Sequence, residues 1–200
     1  MPTIHDISQP LRPGIPVWPG DRAFEAAWSW RKADGASCNV GQVTMSCHTG
    51  THMDAPYHFA DSGATAETIP LEACVGPATV VRLDRLDGVR AERVLIRSGG
   101  GVPTVEAVER LPGLKLLGTD AASVDLADSK TLDVHHALWR RGVVILEGLD
   151  LAARFWGGRL GRLLGPRSGA KSDRQQQNAG HGKETPRHRT PHAPREVPPR

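Results

Sequence analysis

Three of the chain's nine histidines and one aspartate fall within the eleven residues from His48 to His58. This clustering restricts the fold more than any other feature. Imidazole nitrogen and carboxylate oxygen are the usual protein ligands of zinc and similar divalent ions, and ligand atoms must meet ~2 Å from a common ion. A helix would put His48 and His52 on one face but turn Asp54 away, and Gly50 and Pro56 both oppose helix. In extended chain, residues 48, 52, 54 and 58 share parity, so their side chains leave the same face. A straight strand would still hold residues 48 and 54 roughly 20 Å apart. The chain must therefore bend inside the motif, and Gly50 is the residue that allows it. A hydrogen-bonded histidine on a half-buried strand would explain one such group, but not four around one glycine. The stretch reads as a metal site.

Composition sets the frame for that site. Two hundred residues at 38% hydrophobic are enough for one domain with a real core. No apolar run reaches the ~18 residues of a membrane span, and the N-terminus lacks the charged-then-apolar pattern of a signal peptide. Cys38, Cys47 and Cys74 are odd in number and form no CxxC pair. They read as reduced thiols of a cytoplasmic protein. The net charge of +3 hides a division, because residues 154–200 hold eleven Lys and Arg against three Asp and Glu. An acidic body with a basic tail is not a nucleic-acid-binding domain.

The remaining chain predicts a mixed α/β domain over residues 1–153, with strands in groups and few helices between them. Residues 3–7 predict a short first strand. Val17 to Asp21 is a turn-forming segment that holds Trp18 in a loop, as a core aromatic or as a flat wall for an aromatic ligand. Residues 23–31 and 39–47 form the arms of a strand pair. Residues 77–83 and 93–97 are β-rich runs. Thr104 caps a short helix to Arg110, which leads into a strand over 114–117. A loop from Thr119 to Asp128 precedes a helix carrying His135 and His136. Val143 to Leu146 is a buried strand that delivers Glu147. A carboxylate there is costly unless paired or bound to metal, and His135, twelve residues earlier, must pack near it. Beside the first motif, His135 and Glu147 are the natural donors for a second ion.

These residues carry a resemblance. The pattern H-x-G-[TA]-H-x-D-x-P-x-H-[FY] stands here from His48 to Phe59, and a later signature runs from Leu116 through Gly118, Thr119, Asp120, Ser123 and Asp125 to His135 and Glu147. With the Pro16–Asp21 stretch, the sequence resembles the cyclase family of metal-dependent amidohydrolases over about residues 4–150. The resemblance implies a swivelling β/β/α fold, a homodimer and two divalent ions, zinc with manganese as the alternative. It implies that His48, His52 and Asp54 hold one ion, that His135 helps hold the other, and that Asp54 and Glu147 are shared. His58 would be the general acid/base and Trp18 would line the substrate pocket. The implied activity is hydrolysis of N-formyl-L-kynurenine to L-kynurenine and formate, with metal-bound hydroxide as nucleophile. The alternatives are an isatin-hydrolase-like amidohydrolase of the same family and an inactive metal-binding remnant.

Two departures from the family pattern stand out. The segment Ile96–Pro103 is shorter than the corresponding family region, and the resemblance ends soon after Asp150. Beyond it, residues 154–200 are basic and, from Pro166, nearly without large apolar side chains. Such a composition cannot bury a core and predicts disorder.

Overall fold

A computed structural model describes residues 5–151 and 159–160. It contains a two-stranded hairpin, β1 (Glu25–Trp30) with β2 (Val40–Thr44), and a six-stranded sheet. The sheet is built from β3 (His52–Asp54), β4 (Ala78–Arg82), β5 (Arg93–Arg97), β6 (Leu116–Thr119), β7 (Val144–Glu147) and β8 (Arg159–Leu160). Their order is β3-β7-β6-β5-β4-β8, with β4 to β7 parallel and the edge strands β3 and β8 antiparallel to their neighbours. The helices are α1 (Leu71–Cys74), α2 (Val105–Glu109) and α3 (Asp133–Arg140). This is the mixed α/β class expected from the sequence.

The central strands are apolar on both faces, as parallel strands covered on both sides must be. Alternation divides them between two cores. Val94, Ile96, Leu117 and Ile145 point to the face covered by α2 and α3, where they pack with Val108, Val134 and Leu138. Leu95, Leu116, Val144 and Leu146 point the other way, toward Ile7, Leu149 and Leu151. Glu147 shares the parity of Ile145, so it emerges on the α3 face. On the reverse face lies a cavity of about 750 Å³ whose walls include Ile7, Met53, Ile69, Cys74, Leu146 and Leu149. Met53 and Leu146 alternate with Asp54 and Glu147, and Thr51 and His52 also line this cavity.

Thr104 caps α2 as expected, its hydroxyl oxygen accepting the Ala107 N–H at 3.2 Å. Of the strand expected over residues 3–7, residues 5–7 form none, and the pairing that follows is one bridge between Ser8 and Leu149. There the N-terminal segment joins the chain leaving β7, with Asp150 N–H donating to the Ile7 carbonyl at 2.8 Å. The β1–β2 hairpin is exposed on both faces. Its register places Ala26 opposite Val43, Trp28 opposite Gly41 and Trp30 opposite Val40, with a register shift between Trp28 and Trp30. The expected disordered tail over 154–200 lies outside the described residues apart from β8. No helix among the described residues is long and apolar enough to cross a membrane.

Candidate metal centre

The first motif is built from a turn, a strand and a 3₁₀ helix in succession. Thr49 N–H closes a turn on the Ser46 carbonyl at 3.2 Å, and Gly50 follows with φ +70°, the left-handed conformation that glycine adopts without a Cβ penalty. The bend expected at this residue is therefore present. β3 then places His52 and Asp54 on one face, and Pro56 opens the 3₁₀ helix Pro56–His58 that returns His58 toward them. Parity accounts for 52 and 54, whereas 48 and 58 arrive through the flanking turns.

The second half arrives from the sheet and α3. β3 pairs with β7 so that His52 lies opposite Glu147 and Asp54 opposite Ile145. α3 packs over this face and lowers His135, which is 2% exposed, onto the same two carboxylates. Its Nε2 lies 3.2 Å from Asp54 Oδ2 and 3.6 Å from Glu147 Oε1. The two carboxylates span the site. Asp54 Oδ1 lies 3.1 Å from His48 Nδ1 and 3.3 Å from His52 Nε2, while Glu147 Oε2 lies 3.6 Å from His52 Nε2.

These contacts converge without satisfying one another. His48 Nδ1 and His52 Nε2 face each other at 3.0 Å, yet Asp54 Oδ1, fully buried beside them, has no hydrogen-bond partner of good geometry. A buried oxygen left unpaired among ring nitrogens is costly, and a cation between them removes that cost. The charges point the same way. Burial pushes the Asp54 carboxyl up, but the imidazoles of His135, His48 and His52 outweigh it and hold the group well below the usual carboxylate range. Burial, and then the neighbouring Asp54 charge, push Glu147 up to about 7. Two adjacent buried carboxylates repel unless a positive ion lies between them. The donor set of imidazole nitrogens and carboxylate oxygens fits a divalent metal. Asp54 belongs to both ligand groupings, His48–Asp54–His58 and His52–Asp54–Glu147, whose donor atoms lie within 4.8 Å of one another.

The comparisons with known proteins agree with this geometry. Residues 5–112 match the Cyclase family. A kynurenine formamidase from Erythrobacter litoralis is 42% identical over 171 residues, covering 74% of this chain and 79% of that protein. The chain belongs to the Cyclase family. Among solved structures, one described as a potential metal-dependent hydrolase with cyclase activity aligns with this cyclase-family chain at a TM-score of 0.63 and 25% identity, covering 78% of this chain and 85% of that one. Isatin hydrolase A from Labrenzia aggregata shares the fold at a TM-score of 0.60 and 22% identity, over 74% of this chain and 80% of that one.

All five ligand candidates of this cyclase-family chain, His48, His52, Asp54, His135 and Glu147, are thus brought together. His58 joins them, its ring centroid 4.0 Å from that of His48 and 6.4 Å from that of His135. Burial, followed by the His48 ring, lowers its pKa below the ordinary histidine value. Trp18 is half-buried, and its backbone is tied to that of His48 through a chain of bonds. Its carbonyl accepts the Asp21 N–H at 2.9 Å, the Asp21 carboxylate accepts the Ser46 hydroxyl at 2.5 Å, and Ser46 Oγ accepts the His48 N–H at 3.2 Å.

Three supporting groups carried no role in the sequence reading. Val124 N–H donates to Glu147 Oε1 at 2.8 Å. Asp125, buried, lies against His135 Nδ1 at 2.6 Å. Gly148, φ +65°, lets the two halves touch, since a Cβ there would stand 2.2 Å from the Gly50 carbonyl oxygen. Val124 and Asp125 both lie in the later family signature, which was the available signal.

Proposed function

We propose that this chain is a metal-dependent arylformamidase that hydrolyses N-formyl-L-kynurenine to L-kynurenine and formate, a step of tryptophan degradation. The observation that carries the reading is the convergence of His48, His52, Asp54, His135 and Glu147, from three separate stretches of chain, on one buried point, in a chain 42% identical to a kynurenine formamidase. Asp54 and Glu147 each face both His52 and His135, which supports two ions rather than one. His48, His52 and Asp54 would hold the first, and His135 would help hold the second, with Asp54 and Glu147 available to both. Zinc suits this donor set, with manganese the competitor.

Divalent ions bound there supply an activated water and polarise the scissile carbonyl. The protein's own groups do the rest. His58, at the exposed end of the site and shifted toward its neutral form, is available as a base at neutral pH. It takes a proton from the attacking water and delivers it to the aryl amine nitrogen, which leaves poorly unless protonated. Pro56 and the ring of Phe59, which packs 5.1 Å from His135 and 6.0 Å from Trp139, fix the backbone that carries His58. Trp18 lines the substrate pocket from a loop tied to His48 through Ser46.

The protein acts in the cytoplasm as a homodimer, with residues 1–153 as its hydrolase domain. The exposed tryptophans of the β1–β2 hairpin, Trp28 at 60% and Trp30 at 61%, support association with a second copy, which sedimentation of the purified protein tests. The decisive assay is formate release from N-formyl-L-kynurenine, with isatin as the competing substrate and metal content read on the same sample. Turnover of the formamide with about two ions per chain is expected. Turnover of isatin alone, or metal without turnover of either, rejects the reading.

A further inference from the structure

We propose that Asp125 is a positioning residue that fixes the imidazole of His135 with its proton on Nδ1, leaving the Nε2 lone pair aimed between Asp54 and Glu147. The inference rests on the reading of this cluster as a metal centre. Its starting point is an irregular helix end. The residue before α3, Leu132, has φ +47° and provides no side-chain cap. The first N–H groups of a helix need acceptors from elsewhere, and here Asp125 supplies them from outside the helix. Its Oδ1 accepts the Val134 N–H at 3.1 Å and its Oδ2 accepts the His135 N–H at 3.0 Å.

Capping requires no more than those two bonds. Oδ2 also approaches His135 Nδ1 at 2.6 Å, the shortest of the three contacts. An ionised carboxylate only accepts, so the ring nitrogen facing it must carry the proton. Nε2 then points to Asp54 Oδ2 at 3.2 Å and Glu147 Oε1 at 3.6 Å, where an ion would sit. The same logic governs His52, whose Nδ1 lies 3.0 Å from the Gly50 carbonyl while Nε2 faces the carboxylates. Asp125 therefore does for the distant histidine what a backbone carbonyl does for the local one, and it does so with a side chain that substitution can remove. Groups that hold a ligating histidine by its other nitrogen orient the ring and raise its basicity.

Two measurements on the full chain test this. In the first, nitrogen-15 histidine spectra of the zinc-loaded wild-type protein, assigned with H135A, should show His135 Nδ1 protonated and Nε2 without a proton, with the Nδ1 proton protected from exchange. An unprotonated Nδ1 overturns the proposal whether or not any variant folds. In the second, Asp125→Ala is compared with wild type by zinc titration against a chelator. One zinc-binding step should weaken by about 10–100-fold, along with loss of the protected Nδ1 proton. A purely structural cap would lower the melting temperature but leave zinc affinity of the folded variant unchanged, and that result also overturns it. Failure of the formamidase reading is distinct, because zinc-loaded wild type would then leave N-formyl-L-kynurenine intact while the Nδ1 proton stayed in place.

Discussion

His52 and His135 present the same ring nitrogen to the same pair of carboxylates, but they are aligned differently. His52 takes its orientation from the Gly50 carbonyl, two residues away at 3.0 Å. His135 takes it from Asp125, ten residues away at 2.6 Å, and reaches the site only because α3 packs over β7. The first half is a property of an eleven-residue stretch and its bend. The second is a property of the assembled core. Anything that loosens the packing of Leu138 and Ile145 should thus damage the second half first, whereas the first half depends on the backbone path through Gly50.

The largest effect should come from erasing the difference altogether. Asp54 faces His48 and His52 with one oxygen and His135 with the other. Asp54→Asn removes the charge common to both halves, and turnover should fall to background with metal content measured by elemental analysis falling on both sides. Retention of either ion would mean that the halves bind independently. His58→Ala sharpens the comparison from the exposed side. A general acid/base contributes about 10²–10⁴-fold to rate, so kcat should drop within that range while both ions remain. His58 also stands within ligand reach of His48 and Asp54, and an ion lost in this variant would make it a ligand instead.

The junction between the halves offers a smaller break. Gly148 O accepts the Thr51 hydroxyl at 2.6 Å and the Gln9 amide at 2.8 Å, and the residue itself sits at φ +65° against the Gly50 carbonyl. Gly148→Ala demands an unfavourable backbone conformation and pushes on the carbonyl that orients His52. A cost of about 1–3 kcal/mol is expected from the conformation alone, read by denaturant unfolding of the metal-free protein. Zinc affinity should fall with it, because the displaced carbonyl no longer holds His52 Nδ1. An unfolding change with zinc binding intact would separate the fold's need for glycine from the site's.

The same contrast explains what could be read from the chain. The ligand candidates at 48, 52 and 54 were legible because they are close in the chain and a bend at Gly50 was the only way to join them. β5, at Arg93–Arg97, and the buried strand delivering Glu147 were legible from unbroken apolar runs. The role of Asp125 was not, although the residue lies in the family signature, since its partner lies on an element whose start no local pattern specifies: Leu132, at φ +47°, is an unfavourable residue for that position. At residues 5–7 the expected strand is absent for a related reason. Local β-propensity suggests a ladder, but the pairing is set by where the chain leaves β7, and that yields the single bridge at Ser8.

The smallest expected effect is a control on the same distinction. Thr104 caps α2 by accepting the Ala107 N–H at 3.2 Å, and α2 packs Val108 into the core beneath the α3 face without supplying a ligand. Thr104→Ala should cost about 1 kcal/mol, the usual worth of such a cap, with kcat and zinc affinity unchanged. α2 and α3 share one core cluster, so slack introduced under α2 has a path to His135. If the loss of the cap weakens zinc binding beyond its effect on unfolding, the second half of the site is sensitive to the core as a whole, and Asp125 alone does not insulate it. If binding is unmoved, the carboxylate at the start of α3 is sufficient to keep the ring in place while its surroundings soften.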